Sequence, residues 1–305
     1  MSAPGASKAT RQGVESPGTM SSRMQRILTG AVAVPIALAV VFFLPAPLVL
    51  VAGMVVFGGA GVEYVRLVRH WAPSTPLAVV PVASAVLAGG LYLLQRSAPV
   101  LTLASPAQAI PWLLLGFAAV LAVSGLLVLV SPARMGEAMI GAGLIHLGVP
   151  YFALPMISIY LLAASDRWLL VLVLVAIWVG DSAAYAVGSR FGRHQMAPVV
   201  SPNKTWEGAI AGLVSTILVS VVWSLARQGG VDPGLVLVTA LAGAAGQLGD
   251  LLESMIKRGV GAKDSSRLLP GHGGLFDRMD AMLLAAPVFV LGLWLLGRDL
   301  LPVLR

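Results

Sequence analysis

The sequence predicts an all-α, polytopic integral membrane protein of about nine transmembrane helices with a cytoplasmic N-terminus. Three observations predict it. Of 305 residues, 58% are hydrophobic and 11% charged, where an ordinary soluble domain carries about 25% charged residues. The mean hydropathy is +0.90, and the apolar residues recur in runs close to the ~20 needed to cross a bilayer core. The basic residues, finally, alternate between sides when those runs are threaded back and forth.

The spans can be taken in order, each closed by a charged or turn-forming connection. Ile27–Leu44 follows Arg23 and Arg26 and lacks the small-residue cleavage site of a signal peptide, so it reads as a retained helix. Pro47–Val65 starts after the short Pro45-Ala46-Pro47 turn and ends before Arg66 and Arg69. Pro76–Leu94 stops before Arg96, Trp112–Val130 before Arg134, and Met139–Ala163 before Arg167. Trp168–Val187 is closed by Arg190 and Arg193, Ala209–Leu225 lies between Lys204 and Arg227, and Gly234–Ile256 runs into Lys257 and Arg258. Ala281–Leu296 lies between Arg278 and Arg298. With the N-terminus inside, fifteen of the 20 basic residues fall on the inner side.

The organisation is lopsided. Residues 1–22, rich in Gly, Ser, Pro and Thr, read as a disordered tail. Residues 23–165 read as membrane scaffold, and residues 166–305, where the polar residues gather, as a catalytic membrane domain. Glu63, near the inner end of the second span, reads as an interface residue paired with Arg66, whose stem can snorkel. The absence of cysteine excludes disulfides, Fe–S clusters and thiolate metal sites. The net charge of +7 is not gathered into a soluble domain, which argues against nucleic-acid binding and for anionic ligands at a membrane surface. No internal repeat is visible.

The densest charge lies in Ser254–Asp280, with five basic residues, three Asp, His272 and a His-Gly-Gly turn. Just before it, Gly249-Asp250-Leu251-Leu252-Glu253-Ser254 places Asp250, Glu253 and Ser254 on one helix face, and Lys257 continues that face. Carboxylates inside a span cost at least ~2.5 kcal/mol each unless paired or solvated, and so mark function by default; a pair of interhelical hydrogen bonds, or an ion pair with Lys257, is the plainer reading. Further on, Gly271, Gly273 and Gly274 around His272 let backbone N–H groups approach a phosphate. Asp277 and Asp280, spaced i, i+3, can face one ligand, although acids at a helix start are also what capping selects. Asp250 and Asp277 together offer the carboxylates that Mg²⁺ takes alongside waters and substrate phosphates. His272 either donates to a phosphate or holds the turn.

Two upstream segments add candidates. In Ser201-Pro202-Asn203-Lys204-Thr205-Trp206-Glu207-Gly208, Lys204 suits a phosphate, while Thr205 and Glu207 can cap the following helix. Asp181, within the sixth span, is open to three roles: supporting a metal site, binding a substrate hydroxyl, or hydrogen-bonding between helices.

The pattern Ser-x-Ile-Lys-Arg-x4-Lys-Asp-x-Ser-x2-Leu-Pro-x-His-Gly-Gly-Leu-x-Asp-Arg-Met-Asp at Ser254–Asp280 resembles the diagnostic segment of phosphatidate cytidylyltransferases, the CDP-diacylglycerol synthases. Ser201–Gly208 and Gly249–Ser254 resemble that family too, so the similarity covers about Trp178 to Ala281; the first half matches only in being several spans. The resemblance implies that CTP and phosphatidic acid react to give CDP-diacylglycerol and pyrophosphate. It also implies Mg²⁺ with K⁺ as an accompanying cation, a homodimer, and a multi-pass protein of the cell membrane with its site facing the cytoplasm. The family's metal-holding positions correspond to Asp250 and Asp277, with Glu253 and Asp280 as further candidate ligands. Lys257, Arg258, Lys263 and His272 become candidate catalytic groups. Ser201, Lys204, Thr205, Glu207, Asp181, Ser254, Asp264, Arg267, Gly273, Gly274 and Arg278 become candidate substrate contacts. A CTP-dependent lipid kinase and an ion-coupled transporter using Asp181, Asp250 and Glu253 are the competing readings.

Overall fold

The computed structural model describes residues 22–97, 106–130, 134–268, 273–298 and 300. The expected tail, up to residue 21, and His272 lie outside the described residues. The chain forms α1 (Ser22–Phe43), α2 (Ala46–Val68), a 3-10 turn (Arg69–Trp71), α3 (Val79–Ser97), α4 (Pro106–Val130), α5 (Met135–Ser165) and α6 (Arg167–Phe191). A small hairpin of β1 (Gln195–Ala197) and β2 (Ser201–Thr205) follows, then α7 (Trp206–Gln228), α8 (Pro233–Gly259) and α9 (Phe276–Leu295). Among the described residues, six segments are long and apolar enough to cross a membrane: Ala46–Trp71, Met135–Ser165, Arg167–Phe191, Trp206–Gln228, Pro233–Gly259 and Phe276–Leu295. Shorter apolar stretches, Ala31–Phe43, Val79–Leu93 and Ala118–Leu127, lie in α1, α3 and α4.

Helix α7 shows why this sequence packs in lipid and not in water. Its inward positions are Gly208, Gly212, Thr216, Ser220 and Ser224, all small or polar and all buried. Its outward stripe is Ile210, Val214, Leu218 and Val222, each about half exposed or more. Both stripes repeat every four residues, so each occupies one side of the helix. Small inward residues let backbones approach, and hydroxyls bond across or back to the helix. Thr216 donates to Gly212 O at 2.9 Å, and Ser220 donates to Thr239 Oγ1 of α8 at 3.1 Å.

The long α5 is the centre of the N-terminal half and packs against α2, α3 and α9. Tyr151 and Phe152 of α5 meet Tyr64 of α2 and Phe276 of α9 in an aromatic cluster with centroids 5.4 to 6.3 Å apart. Tyr64 also donates to Leu144 O at 3.0 Å. Phe276 thereby seats the first turn of α9 in the scaffold.

The two ends of the bundle differ. At one end α7 closes at Gly229 in the left-handed conformation (φ 71°), and Asp232 caps α8 by accepting from Leu235 N at 3.1 Å. That N–H, and then the paired Arg298 guanidinium, hold the Asp232 carboxyl below its usual range. Its contribution to stability is therefore present above the unfolded-state pKa and lost as pH falls through the folded one. Arg167 donates to Phe42 O at 2.7 Å there, and Arg227 lies 4.7 Å over the Trp168 ring. Helix α8 then runs about 40 Å to the other end, where Lys257 and Arg258 close it.

At that second end α8 and α9 come closest. A methyl added at Gly249 would lie 2.5 Å from the Asp280 carbonyl oxygen, so only glycine admits α9 at this depth. Gly53 on α2 has no atom within 4 Å of the same added methyl. Gly249→Ala is expected to destabilise by ~1–3 kcal/mol through overpacking, read as a lower thermal midpoint in detergent, while Gly53→Ala leaves the midpoint unchanged.

Candidate active site

The Gly249 contact sets the next residue, Asp250, beside Asp280. Asp250 and Glu253 on α8 and Asp280 on α9 each present an oxygen, and those oxygens all lie within 4.8 Å of one another. Asp181 of α6 interacts electrostatically with Asp250 and Asp280 of this group. Lys204 Nζ reaches Asp250 Oδ2 at 2.7 Å. Ser254 Oγ stands 3.5 Å from Asp250 Oδ1.

Lys204 arrives there because residues 195–205 form the antiparallel hairpin, with Gln195 opposite Thr205 and Ala197 opposite Ser201. Thr205 ends β2 and caps α7, accepting from Gly208 N at 3.2 Å. Glu207 fastens the other strand by accepting from the Arg193 and His194 amides and lying 2.6 Å from His194 Nδ1. Both residues, expected to touch substrate, hold the hairpin that carries Lys204.

Lys257 and Asp277 form the second layer. Lys257 is buried, with Nζ 2.6 Å from Asp277 Oδ1 and 2.6 Å from Glu253 Oε2. Glu253 has no exposed surface and is ion-paired to Lys257. The other oxygen of Asp277 accepts from Ser265 N at 2.8 Å, Ser265 Oγ at 2.7 Å and Gly274 N at 2.7 Å. Asp277, the expected metal holder, thus spends its lone pairs on Lys257 and the loop, while its neighbour one turn on, Asp280, faces Asp250 and Glu253.

Glu63 was misread. Its partners are not Arg66 but the C-terminal loop: Ser265 Oγ and Ser266 Oγ donate at 2.8 Å, Phe276 N at 2.9 Å and Leu275 N at 3.2 Å. Of the glycine turn, Gly273 and Gly274 are among the described residues. The Gly274 amide serves Asp277, and a methyl on Gly274 would lie within 2.6 Å of the Glu63 carboxylate and of Ser265 Oγ. Gly273 adopts φ +76°, which favours glycine. Arg258 donates to Ala262 O at 2.9 Å and Val200 O at 3.4 Å, tying the end of α8 to the hairpin turn. Lys263, Asp264, Arg267 and Arg278 are exposed around the same end, and Ser201 is half-buried in β2.

Three carboxylate oxygens in one place, one of them from a wholly buried side chain, could hold a metal ion. Lys257 makes the neighbouring pair tolerable, because removing one partner of a buried ion pair strands the other charge. Lys257→Met is expected to destabilise by ~3–5 kcal/mol, measured as the shift in thermal midpoint, by leaving Glu253 and Asp277 buried without their cation.

Comparison with known proteins matches residues 24–296 to the Cytidylyltransferase family. The chain is 41% identical over 128 residues to the phosphatidate cytidylyltransferase of Haemophilus influenzae, which takes in 40% of this chain and 44% of that one. It is 37% identical over 143 residues to that of Staphylococcus haemolyticus, covering 47% of this chain and 55% of the relative. These two alignments span about half of the relatives' length. Against the phosphatidate cytidylyltransferase of Pseudomonas aeruginosa the identity is 36% over 284 residues, covering 90% of this chain and 97% of the relative. With residues 24–296 matched to the family and a relative 36% identical over 90% of this chain, the chain belongs to the Cytidylyltransferase family.

Proposed function

We propose that this chain joins CTP to phosphatidic acid, making CDP-diacylglycerol and pyrophosphate. The observation that carries the reading is the group Asp250, Glu253 and Asp280, flanked by Lys204 and Lys257 at one end of the bundle. A lipid phosphate monoester is already an anion at neutral pH, so the reaction needs no strong general base. Its difficulty is to bring one anion onto the α-phosphorus of another.

In this reading an oxygen of the lipid phosphate attacks the α-phosphorus of CTP. The bond from that phosphorus to the oxygen bridging to the β-phosphate breaks, and pyrophosphate leaves. Asp250, Glu253 and Asp280 hold Mg²⁺. When bound, Mg²⁺ supplies charge neutralisation and a template for in-line displacement. Lys204, seated on Asp250, exchanges that carboxylate for a phosphate oxygen as substrate enters. Lys257 stays between Glu253 and Asp277 and fixes the carboxylate layer. The exposed cations Lys263, Arg267 and Arg278 bind the triphosphate, the departing pyrophosphate and the lipid head group.

The proposal also places the site on the cytoplasmic side of a multi-pass protein of the cell membrane, with nine crossings, an inner N-terminus and a catalytic unit from residue 166 onward. What supports the sidedness is the distribution of charge. Arg167, Arg227 and Arg298 gather at one end, and Arg190, Arg193, Lys204, Lys257, Arg258, Lys263, Arg267 and Arg278 at the other. K⁺ beside Mg²⁺, and a homodimer, enter from the family resemblance.

The test is pyrophosphate release by purified protein in detergent, with CTP, phosphatidic acid and Mg²⁺. Turnover is expected only with all three, and is lost on chelation. Alanine at Asp250 or Asp280 should lower kcat at least ~100-fold, and alanine at Asp277 should lower Mg²⁺-dependent turnover as well. CDP appearing with a lipid alcohol would replace this reaction by lipid phosphorylation; no turnover in folded, lipid-supplied protein would leave the transporter reading in its place.

A further inference from the structure

Residues 23–165 hold only two acidic residues, Glu63 and Glu137. Glu137 lies at the bundle's end and accepts from Ser74 N at 2.6 Å. Glu63 is different. It is 3% exposed, on α2, and all its hydrogen-bonding partners named above belong to the loop after α8 and the first turn of α9, more than 200 residues away. Each oxygen takes one hydroxyl and one amide: Ser266 Oγ and Leu275 N on Oε1, Ser265 Oγ and Phe276 N on Oε2. An ionised carboxylate is an acceptor only, with room for about four donors, and charge-assisted bonds of this kind are the stronger ones.

The bonds continue inward. The Ser265 hydroxyl stands between Glu63 Oε2 and Asp277 Oδ2, at 2.8 and 2.7 Å, so its single hydrogen is shared between the two carboxylates. Asp277 binds Lys257, and Lys257 lies against Glu253, a member of the three-carboxylate group. Glu63 also fixes Leu275 and Phe276, whose helix carries Asp280 one turn further on. The fit is tight: a methyl on Gly59, one turn before Glu63, would lie 2.6 Å from Leu275 Cδ1.

We infer that Glu63 is a positioning residue of the catalytic centre, setting from the N-terminal scaffold the placement of Asp277, Lys257 and Asp280. It touches no reacting atom. It acts through Ser265 and the start of α9, so the membrane scaffold contributes directly to the geometry of the site. The inference rests on the activity proposed above. A displacement of about 1 Å in a catalytic group can cost ~100-fold in rate, which sets the scale of the expected effect.

Glu63→Gln is the informative variant, because it keeps the length of the side chain but turns an N–H₂ toward one of the two donor pairs. Two readouts are needed. The first is amide hydrogen exchange at Ser265 and Gly274, which donate to Asp277 and not to Glu63. Both are expected to exchange ~10-fold faster in Glu63→Gln while the core of α5 is unchanged. Exchange at these two amides equal to the parent's overturns the inference, whether or not the protein turns over CTP. The second readout is steady-state turnover per folded molecule, where kcat is expected to fall ~30-fold with KM for CTP within ~3-fold. A kcat within ~3-fold of the parent's, or a loss that merely tracks the folded fraction, reduces Glu63 to a structural staple. Should Glu63→Gln fail to fold, Ser265→Ala cuts the same link with less disturbance, and the same two outcomes decide. A parent protein inactive with CTP and phosphatidic acid would count against the proposed activity alone, since the exchange measurement stands without it.

Discussion

The Lys257 ammonium between Glu253 and Asp277 is the contact on which the arrangement of this end of the bundle depends. Three carboxylates from α8 and α9, Glu253, Asp277 and Asp280, lie at the ends of helices whose other faces are hydrocarbon. Uncompensated, ionised groups in such surroundings cost several kcal/mol each. One buried cation, held at 2.6 Å from a carboxylate of each helix, offsets two of them and fixes the helices' relative rotation. That rotation turns Asp280, one turn beyond Asp277, toward Asp250. Fold and chemistry share a cause here, because the pair that makes the acids bearable also aims the third.

Around that pair the molecule uses two different kinds of cohesion. In the membrane-spanning body the helices approach through small residues, as where Gly249 admits the Asp280 carbonyl and where Ser220 meets Thr239. Hydrocarbon faces outward on α7 and contributes no drive to helix association, since lipid is as apolar as leucine. At the charged end, cohesion comes from carboxylates taking backbone amides and hydroxyls: Glu63 from Leu275 and Phe276, Asp277 from Ser265 and Gly274, Glu207 from Arg193 and His194. Loops there are consequently held by side chains that a reader of motifs would assign to ligand.

The helical membrane fold was legible because apolar runs of bilayer length leave few alternatives, and the expected spans overlap α1 to α9 in order. Six of these helices carry the length and hydropathy on their own, while α1, α3 and α4 do so only over shorter stretches of described residues. The i, i+3 spacing of Asp250 with Glu253 on α8, and of Asp277 with Asp280 on α9, correctly indicated shared helix faces. It could not tell that Asp280, and not Asp277, joins Asp250 and Glu253 in one group. That depends on the rotation of α9 set by Lys257, a contact between residues 20 positions apart. The hairpin at 195–205 escaped notice because Pro198 and Pro202 break any alternation, leaving no period to read. Glu63 was paired with Arg66 because the two lie one turn apart on one helix. Its real partners come from the far end of the chain, and no local pattern encodes them.

The measurement that most directly tests the account is binding of Mn²⁺, as a spectroscopically visible stand-in for Mg²⁺, to purified protein with CTP present, comparing the parent with Glu253→Gln. The side chain of Glu253 is wholly buried, ion-paired to Lys257, and brings an oxygen within 4.8 Å of those of Asp250 and Asp280. The account predicts a bound-metal signal in the parent and an affinity at least ~10-fold weaker in Glu253→Gln, with the protein still folded. Equal affinity in the two would contradict it, and would mean that Asp250, Glu253 and Asp280 are gathered for packing and not for metal.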